Sequence, residues 1–339
     1  MITIKEITKK KDETIKEITL NNGIIQINVL NIGAAVTSFK LVEYNHNIVV
    51  SYEKTEDFCN NSYYLGAVIG PLAGRTKDGK FTMDGKVYQL ELNDNTNHLH
   101  GGENALHTQV MDMFYEDDEN NPQVIFMKEV NHMTDGYPDV ITYVITYKLD
   151  GNSLIMNLKA IPNIKSPANM TNHMYFNLGA TDTVLDHELT IDADEVMELD
   201  ETYCPLGERI AVADTAFDFR KGNKIRNHLE KNHPQFKMTN GIDHAYVLND
   251  SRSLTLFEPV SKVALKIKTT ADCVVMYCGN FFNEGFVNEK GQRAKNHSAV
   301  ALETQYFPNG VNINGYEPVF FTKEKPLDIT TEYVLKKIK

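Results

Sequence analysis

Residues 171–178 have the sequence Thr171-Asn172-His173-Met174-Tyr175-Phe176-Asn177-Leu178, and Gly179 follows them. Apolar and aromatic residues alternate with polar ones here, which predicts a β-strand that ends near the glycine. A histidine and two asparagines stand where a purely structural strand prefers Val, Ile or Thr. Because buried polar side chains are most often simply hydrogen-bonded, the segment taken alone favours a structural polar network over a ligand site.

The same alternation recurs along the chain and predicts an all-β protein. Residues 142–147, 154–160 and 263–268 each alternate between apolar and polar side chains, as half-buried strands do. Only residues 223–231 have a helical spacing, and that segment is short. Dipeptides that favour tight turns separate the strands: Asn22-Gly23, Asp84-Gly85, Asp150-Gly151, Asn240-Gly241 and Asn314-Gly315. We predict one domain over residues 1–339, built as a β-sandwich or barrel.

Composition limits the classes of partner. The chain has 34 basic and 46 acidic residues and a net charge of −12, which argues against nucleic acid or an anionic membrane as a partner. A neutral small molecule fits this balance better.

We find no secretion signal and no apolar run of about 18 residues, and we expect a cytoplasmic protein. The four cysteines lack paired CxxC spacing, and we expect free thiols. The oligomeric state is left open.

Residues 70–75, Gly70-Pro71-Leu72-Ala73-Gly74-Arg75, form the first of four further polar segments. Two glycines and a proline predict an irregular backbone that leads into the arginine. A turn with a surface arginine is the more common interpretation of such a segment. Alternatively, the planar guanidinium of Arg75 is fixed there to donate hydrogen bonds to ligand oxygens.

The second segment is Asn97-His98-Leu99-His100-Gly101-Gly102. On a regular strand His98 and His100 would point to the same face, a spacing that can bind a metal. No second His-x-His run supplies the remaining ligands, and the two glycines favour a close backbone approach instead. We therefore predict no metal here.

The third and fourth segments each place a carboxylate in an apolar strand. Asp243 stands in Gly241-Ile242-Asp243-His244-Ala245-Tyr246, either as a turn-capping residue or as a ligand group. Glu303 is placed at the end of an apolar strand in residues 299–309. A strand-terminal glutamate usually reaches solvent, but one without partners would have a raised pKa and could act as a base near neutrality.

Taken together and in order, these segments resemble the aldose 1-epimerase (galactose mutarotase) family, and the resemblance covers essentially the whole chain. Each motif alone is weak, whereas their common order is specific. The matching motifs are Gly-Arg at 74–75 with Gly-Lys-Phe at 79–81, Asn-x-Leu-His-Gly-Gly at 97–102, Asn-His-x-Tyr-Phe-Asn-Leu at 172–178, Asp-His at 243–244, Tyr-x-Gly-Asn at 277–280 and Leu-Glu-x-Gln at 302–305.

The resemblance implies a large antiparallel β-sandwich and a cofactor-independent, metal-free isomerase that interconverts the α and β anomers of free aldohexoses such as galactose and glucose. It implies that Glu303 is the general base for the anomeric hydroxyl and that His173 is the general acid for the ring oxygen. It also implies that Arg75, His100 and Asp243 bind sugar oxygens.

The chemistry of ring opening agrees with these roles, since one proton must leave the anomeric oxygen while another reaches the ring oxygen. An acidic neighbour that raised the pKa of His173 would keep its acid form available. We expect a bell-shaped pH profile between about pH 5 and 9.

Two departures from the family concern substrate selectivity. Gly74 and Val275 stand where many members carry an amide that contacts the sugar. The chain has no tryptophan, so that stacking on the apolar face of the sugar would use Tyr277 or Phe281.

Three alternatives remain. The protein could be a hexose-6-phosphate epimerase, although phosphate binding would need more cationic residues than Arg75. It could be a glycoside hydrolase that uses Asp243 and Glu303, which would leave His173 without a role, or a sugar-binding protein without catalysis.

Overall fold

The computed structural model describes residues 1–179 and 181–338, most of which lie in antiparallel strands and the turns between them. In chain order the strands are β1 (Ile2–Lys10), β2 (Glu13–Asn21), β3 (Ile25–Leu30), β4 (Val36–Leu41), β5 (His46–Asn47), β6 (Val68–Ile69), β7 (Arg75–Thr76), β8 (Lys80–Met83), β9 (Lys86–Gln89), β10 (His98–Leu99), β11 (Asp112–Glu116), β12 (Gln123–Asn131), β13 (Val140–Asp150), β14 (Ser153–Pro162), β15 (Ser166–Pro167), β16 (Thr171–Asn172), β17 (Tyr175–Phe176), β18 (Glu188–Ile191), β19 (Ala193–Leu199), β20 (Pro205–Ala211), β21 (Asn223–Lys224), β22 (Asp243–Leu248), β23 (Ser253–Glu258), β24 (Val263–Thr269), β25 (Cys273–Tyr277), β26 (Val300–Gln305), β27 (Phe320–Phe321) and β28 (Leu327–Lys337). The α-helices are α1 (Ile225–Leu229) and α2 (Pro234–Met238).

Two large sheets position the site. One has nine strands in the order β11-β12-β13-β14-β28-β24-β23-β18-β21, and the other has six in the order β17-β26-β25-β22-β19-β20. A further sheet contains β1 to β5 in sequence order. The strand pairs within these sheets are antiparallel, for example β13 with β14 and β25 with β26. The predicted all-β antiparallel sandwich is thus confirmed.

The main core lies between the nine-stranded and six-stranded sheets. Leu158 of β14 and Ile329 of β28 pack in one hydrophobic cluster with Met276 of β25 and Leu302 of β26. Since successive side chains of a strand point to opposite faces, the residues beside Leu302 face away from this core. One of these neighbours is Glu303.

Tight turns form where the sequence predicts them. Met83 pairs with Lys86, and the two residues between them, Asp84 and Gly85, have φ angles of 51° and 77°. Two successive positive φ angles are those of the hairpin turn that matches strand twist. The helical segment predicted at 223–231 contains α1, which is shorter than the prediction.

The segment 171–178 is not the single strand that its alternation predicts. Residues 171–172 form β16, which pairs with β6, and residues 175–176 form β17, which pairs with β26. His173 lies in the gap between them, where the chain passes from one partner strand to another. Its main chain still bonds to a neighbouring loop, since its N–H donates to the Ala67 carbonyl.

In the described part of the chain, no helix has the length and apolar character needed to cross a bilayer.

Candidate active site

The outer face of the six-stranded sheet forms the floor of a cleft of about 250 Å³. That volume is below the roughly 300–1,000 Å³ typical of sites for drug-sized ligands, so it suits a small one. The cleft brings together all seven residues singled out from the sequence: Arg75, His100, His173, Asp243, Tyr277, Phe281 and Glu303.

Strand register places His173 beside Glu303. Tyr175 of β17 pairs with Ala301 of β26. In an antiparallel pair, a step of two residues back from Tyr175 corresponds to a step of two residues forward from Ala301. This brings His173 opposite Glu303. The His173 Nε2 and Glu303 Oε1 atoms lie 3.5 Å apart, and both side chains are almost fully buried. Glu303 lies within β26, not at its end as the sequence predicted.

Burial favours the neutral form of both partners. It raises the pKa of Glu303 well above its usual value, and the nearby Asp243 carboxylate raises it further, while Arg75 opposes the shift. Burial also lowers the pKa of His173 to about 3. The direction differs from the raised histidine pKa that we expected, because the loss of solvation on burial dominates the shift. In the free cleft, the proton of this pair therefore sits on Glu303.

Two buried atoms of the pair have no hydrogen-bond partner among the described residues. They are His173 Nδ1 and Glu303 Oε2. Leaving a buried polar atom unpaired costs free energy, roughly 1–3 kcal/mol per group, and buried groups in folded proteins are rarely left in this state. The Gln305 amide, which also lines the cleft, is unpaired as well, so several buried polar groups of the cleft are available to a ligand.

Arg75 is held between two carboxylates. Its Nε donates to Asp94 Oδ2 at 2.6 Å, and its Nη1 lies 3.8 Å from Asp243 Oδ2. The guanidinium also lies over the ring of Tyr203, 5.3 Å from its centroid. These contacts fix the guanidinium plane on the cleft wall, so the surface-arginine interpretation is wrong for this residue.

The ring of His100 has a defined tautomer. Its Nδ1 accepts a hydrogen bond from the N–H of Gly74 at 3.2 Å, and the main-chain N–H of His100 donates to the Gly74 carbonyl. Because Nδ1 acts as the acceptor, the neutral ring carries its proton on Nε2. Burial, aided by the nearby His173, lowers the pKa of His100 well below its usual value, so the ring is neutral. Nε2 of His100 is then a neutral donor.

His98 and His100 do not share a face, contrary to the prediction from their spacing. His98 Nε2 bonds to the Tyr137 hydroxyl at 2.7 Å, away from the cleft. His100 has a φ of 53°, and this left-handed conformation breaks the alternation of a strand. No group of three His, Cys, Asp or Glu side chains within residues 1–179 and 181–338 is arranged to hold a metal ion.

The predicted stacking residues take different positions. Tyr277 is opposite Ala301 on the sheet and belongs to the cleft floor, whereas Phe281 is 43% exposed at the rim. Val275 pairs with Glu303 and lines the floor beside it. It presents only apolar atoms there.

Three residues of the cleft region were missed from the sequence. Asp94 stands in a polar turn, and its contact with Arg75 spans 19 residues without any local signal. Tyr64 looks like part of an ordinary turn in the sequence but lines the cleft. Gln305 belongs to the Leu-Glu-x-Gln motif, which could have identified it as a cleft residue.

Comparisons of the sequence and of the structure with known proteins point to the same family. The family model described as Aldose 1-epimerase matches residues 16–333. A galactose mutarotase from Homo sapiens is 32% identical over 332 residues, 94% of this chain and 93% of that protein. One from Sus scrofa is 31% identical over 335 residues, covering 95% and 94% of the two chains. The crystal structure of a galactose 1-epimerase from Lactobacillus acidophilus NCFM superposes with a TM-score of 0.91 at 29% identity, covering 100% of this chain and 99% of that one.

Proposed function

Since the chain belongs to the aldose 1-epimerase family and interconverts the α and β anomers of free aldoses without a cofactor, we propose that Glu303 and His173 carry out its two proton transfers. The observation that carries this proposal is the 3.5 Å separation of Glu303 Oε1 and His173 Nε2 on the floor of a small buried cleft. An anomeric carbon bound there presents its hydroxyl and its ring oxygen to the two groups together.

Ring opening moves one proton at each oxygen. Glu303 takes the proton of the anomeric hydroxyl, and His173 gives a proton to the ring oxygen as the bond between that oxygen and the anomeric carbon breaks. The product is an open aldehyde with a new hydroxyl. Rotation about the bond next to the aldehyde presents its other face, and both transfers then run in reverse to close the ring.

One proton is therefore shared by the pair through the whole reaction. It is on His173 while the cyclic sugar is bound and on Glu303 while the aldehyde is open. Burial favours the second arrangement, as the shifts of both pKa values indicate. We infer that the free cleft is already in the protonation state that ring closure needs.

Arg75, Asp243 and His100 supply the hydrogen bonds that orient the sugar. The Nη groups of Arg75 and the Nε2–H of His100 donate, and the Asp243 carboxylate accepts. We assign the apolar contact with the sugar ring to Tyr277 on the floor, with Phe281 at the rim.

The charge of the cleft supports free sugars over sugar phosphates. Among the described residues that line it, Arg75 is the one cation, and Asp94 and Asp243 already share its charge. A phosphate dianion would be attracted weakly and would lie near the Asp243 carboxylate. We also propose a cytoplasmic location, because none of the four cysteines is in a disulfide and disulfides are rare in that compartment.

Polarimetry tests the proposal directly. Freshly dissolved α-D-galactose and α-D-glucose are mixed with the wild type, Glu303→Gln, His173→Asn or His233→Asn, with EDTA present. His233 caps the start of α2 outside the cleft, and asparagine can also cap a helix, so this variant is the matched control.

We expect acceleration by the wild type and the control, and a loss of roughly 10²–10⁴-fold in both cleft variants. A Glu303→Gln or His173→Asn variant that kept its activity would show that the corresponding proton transfer is assigned to the wrong residue.

A further inference from the structure

Tyr64 has an unusual backbone for an aromatic residue. Its φ is 57°, in the left-handed region that bulky side chains rarely adopt. It opens a turn in which the Ala67 N–H donates to the Tyr64 carbonyl. The same turn is bonded to His173 on both sides, since the Gly66 N–H donates to the His173 carbonyl and the His173 N–H donates to the Ala67 carbonyl. Tyr64 and His173 are therefore parts of one hydrogen-bonded unit.

The ring of Tyr64 lies among three histidines. It is stacked on His173 with a centroid distance of 5.9 Å and an angle of 25° between the rings. It also contacts the rings of His100 and His107, each at 4.8 Å. Tyr175 packs near His173 from another direction, with centroids 4.7 Å apart.

We propose that Tyr64 is a positioning residue for His173, and that its left-handed backbone is kept because it places the aromatic ring over the imidazole. The ring limits rotation of the imidazole, so that Nε2 stays directed at Glu303 and at the ring oxygen of the sugar. It also keeps water from that side of His173. This inference rests on the proposed role of His173.

Among the described residues, a polar side chain contacts the His173 ring at only one of its two nitrogens. Glu303 contacts Nε2, and Nδ1 has no hydrogen-bond partner in the described chain. The titratable groups packed near the imidazole are Glu303, His100, Tyr175, Tyr277 and Tyr64 itself, and His107 lowers its pKa from behind Tyr64. Packing against aromatic rings is thus the main restraint on the imidazole.

Two substitutions separate the ring from the hydroxyl and from the backbone. Tyr64→Phe keeps the ring, and Tyr64→Asn removes it while retaining a residue that tolerates positive φ. Tyr88→Asn is the control, since Tyr88 is a half-buried tyrosine that stacks on Phe81 away from the cleft.

We expect Tyr64→Asn to lower kcat by roughly 10-fold to 100-fold, because misplacing a catalytic group by a small distance has effects of that size. KM should stay within about threefold, since the residues assigned to sugar binding are kept. Tyr64→Phe should retain kcat within about twofold, as should the control. Equal losses in Tyr64→Phe and Tyr64→Asn would overturn the proposal, because the hydroxyl would then be the functional group.

NMR titration of the His173 imidazole gives a readout that does not depend on catalysis. In Tyr64→Asn the titration midpoint should move up towards the ordinary histidine value as water reaches the ring, while Tyr64→Phe should match the wild type. An unchanged midpoint in Tyr64→Asn would refute the positioning role. If His173→Asn is fully active, the assigned chemistry fails, yet the NMR result still decides whether Tyr64 positions the ring.

Discussion

Replacing Glu303 by glutamine should stabilise the protein at neutral pH while it removes activity. The residue is 3% exposed, and the pKa of its carboxyl is raised by burial and by Asp243. Glutamine has nearly the same shape and no charge. The substitution therefore removes the cost of keeping a buried carboxyl protonated above its ordinary pKa, and the size of the gain depends on pH.

The sign follows from proton binding. The folded-state pKa of Glu303 is above the ordinary value of 4.5. Above pH 4.5 the unfolded chain releases this proton while the folded chain keeps it, so wild-type stability falls by about 1.4 kcal/mol per pH unit until the folded pKa is passed. Glutamine has no such loss. The stability of Glu303→Gln relative to wild type should therefore rise by about 1.4 kcal/mol per pH unit above pH 4.5.

His173 has the opposite effect. Its pKa is about 3 in the folded protein and 6.5 ordinarily, so below pH 6.5 the unfolded chain binds the extra proton. The pair's two contributions cancel between about pH 4.5 and 6.5 in the wild type. His173→Asn should become more stable than wild type as the pH falls below 6.5, by about 1.4 kcal/mol per pH unit.

Urea unfolding followed by circular dichroism at half-unit steps from pH 4.5 to 8 measures both slopes. The matched control is Glu195→Gln, an exposed residue paired with Arg209, whose effect should stay below about 1 kcal/mol. If the pair is instead an ion pair in the free cleft, Glu303→Gln will be less stable than wild type at pH 7. That sign would refute our assignment of the proton.

Further predictions concern the cleft wall and the choice of substrate. Asp94→Asn should raise KM by roughly tenfold with a smaller change in kcat, since the acceptor 2.6 Å from Arg75 loses its negative charge. Steady-state kinetics with galactose measures both constants. His98→Asn should lower the free energy of unfolding by about 1–3 kcal/mol and keep most of the activity. His100→Asn should instead lose most of the activity and leave the free energy of unfolding nearly unchanged. Thermal unfolding and polarimetry on both variants separate these outcomes. Glucose 6-phosphate should be a poorer substrate than glucose by at least about tenfold in kcat/KM, and equal values would contradict a cleft built for neutral sugars.

The fold was predictable from the sequence because it depends on local patterns. The alternation at 154–160 and the turn at Asp84-Gly85 both record which face of a strand is buried and where the chain must reverse. The meeting of Glu303 and His173 in one cleft was predictable for another reason, namely that both lie in motifs that follow a family-specific order. Neither feature of the sequence depends on which strands pair.

What could not be predicted depends on single backbone conformations and on distant contacts. The positive φ of His100 turns it away from His98, and no local propensity requires that. Tyr64 likewise has a positive φ that no local propensity requires. Asp94 reaches Arg75 because β7 pairs with β10, and this pairing is not evident from either segment alone.

The expected pH profile changes once burial is known. Solvated groups would place both limbs of the bell near neutrality, and a flat profile from pH 5 to 9 would then have argued against the mechanism. In the structure, the pair takes up a second proton only near pH 3, and it releases the shared one only above the raised pKa of Glu303. Burial therefore keeps a single proton bound to the Glu303–His173 pair over a wide pH range. We infer that the plateau of kcat/KM is broad and that the acidic limb lies below pH 5; an acidic limb centred between pH 6 and 7 would show that His173 is solvated in the working enzyme.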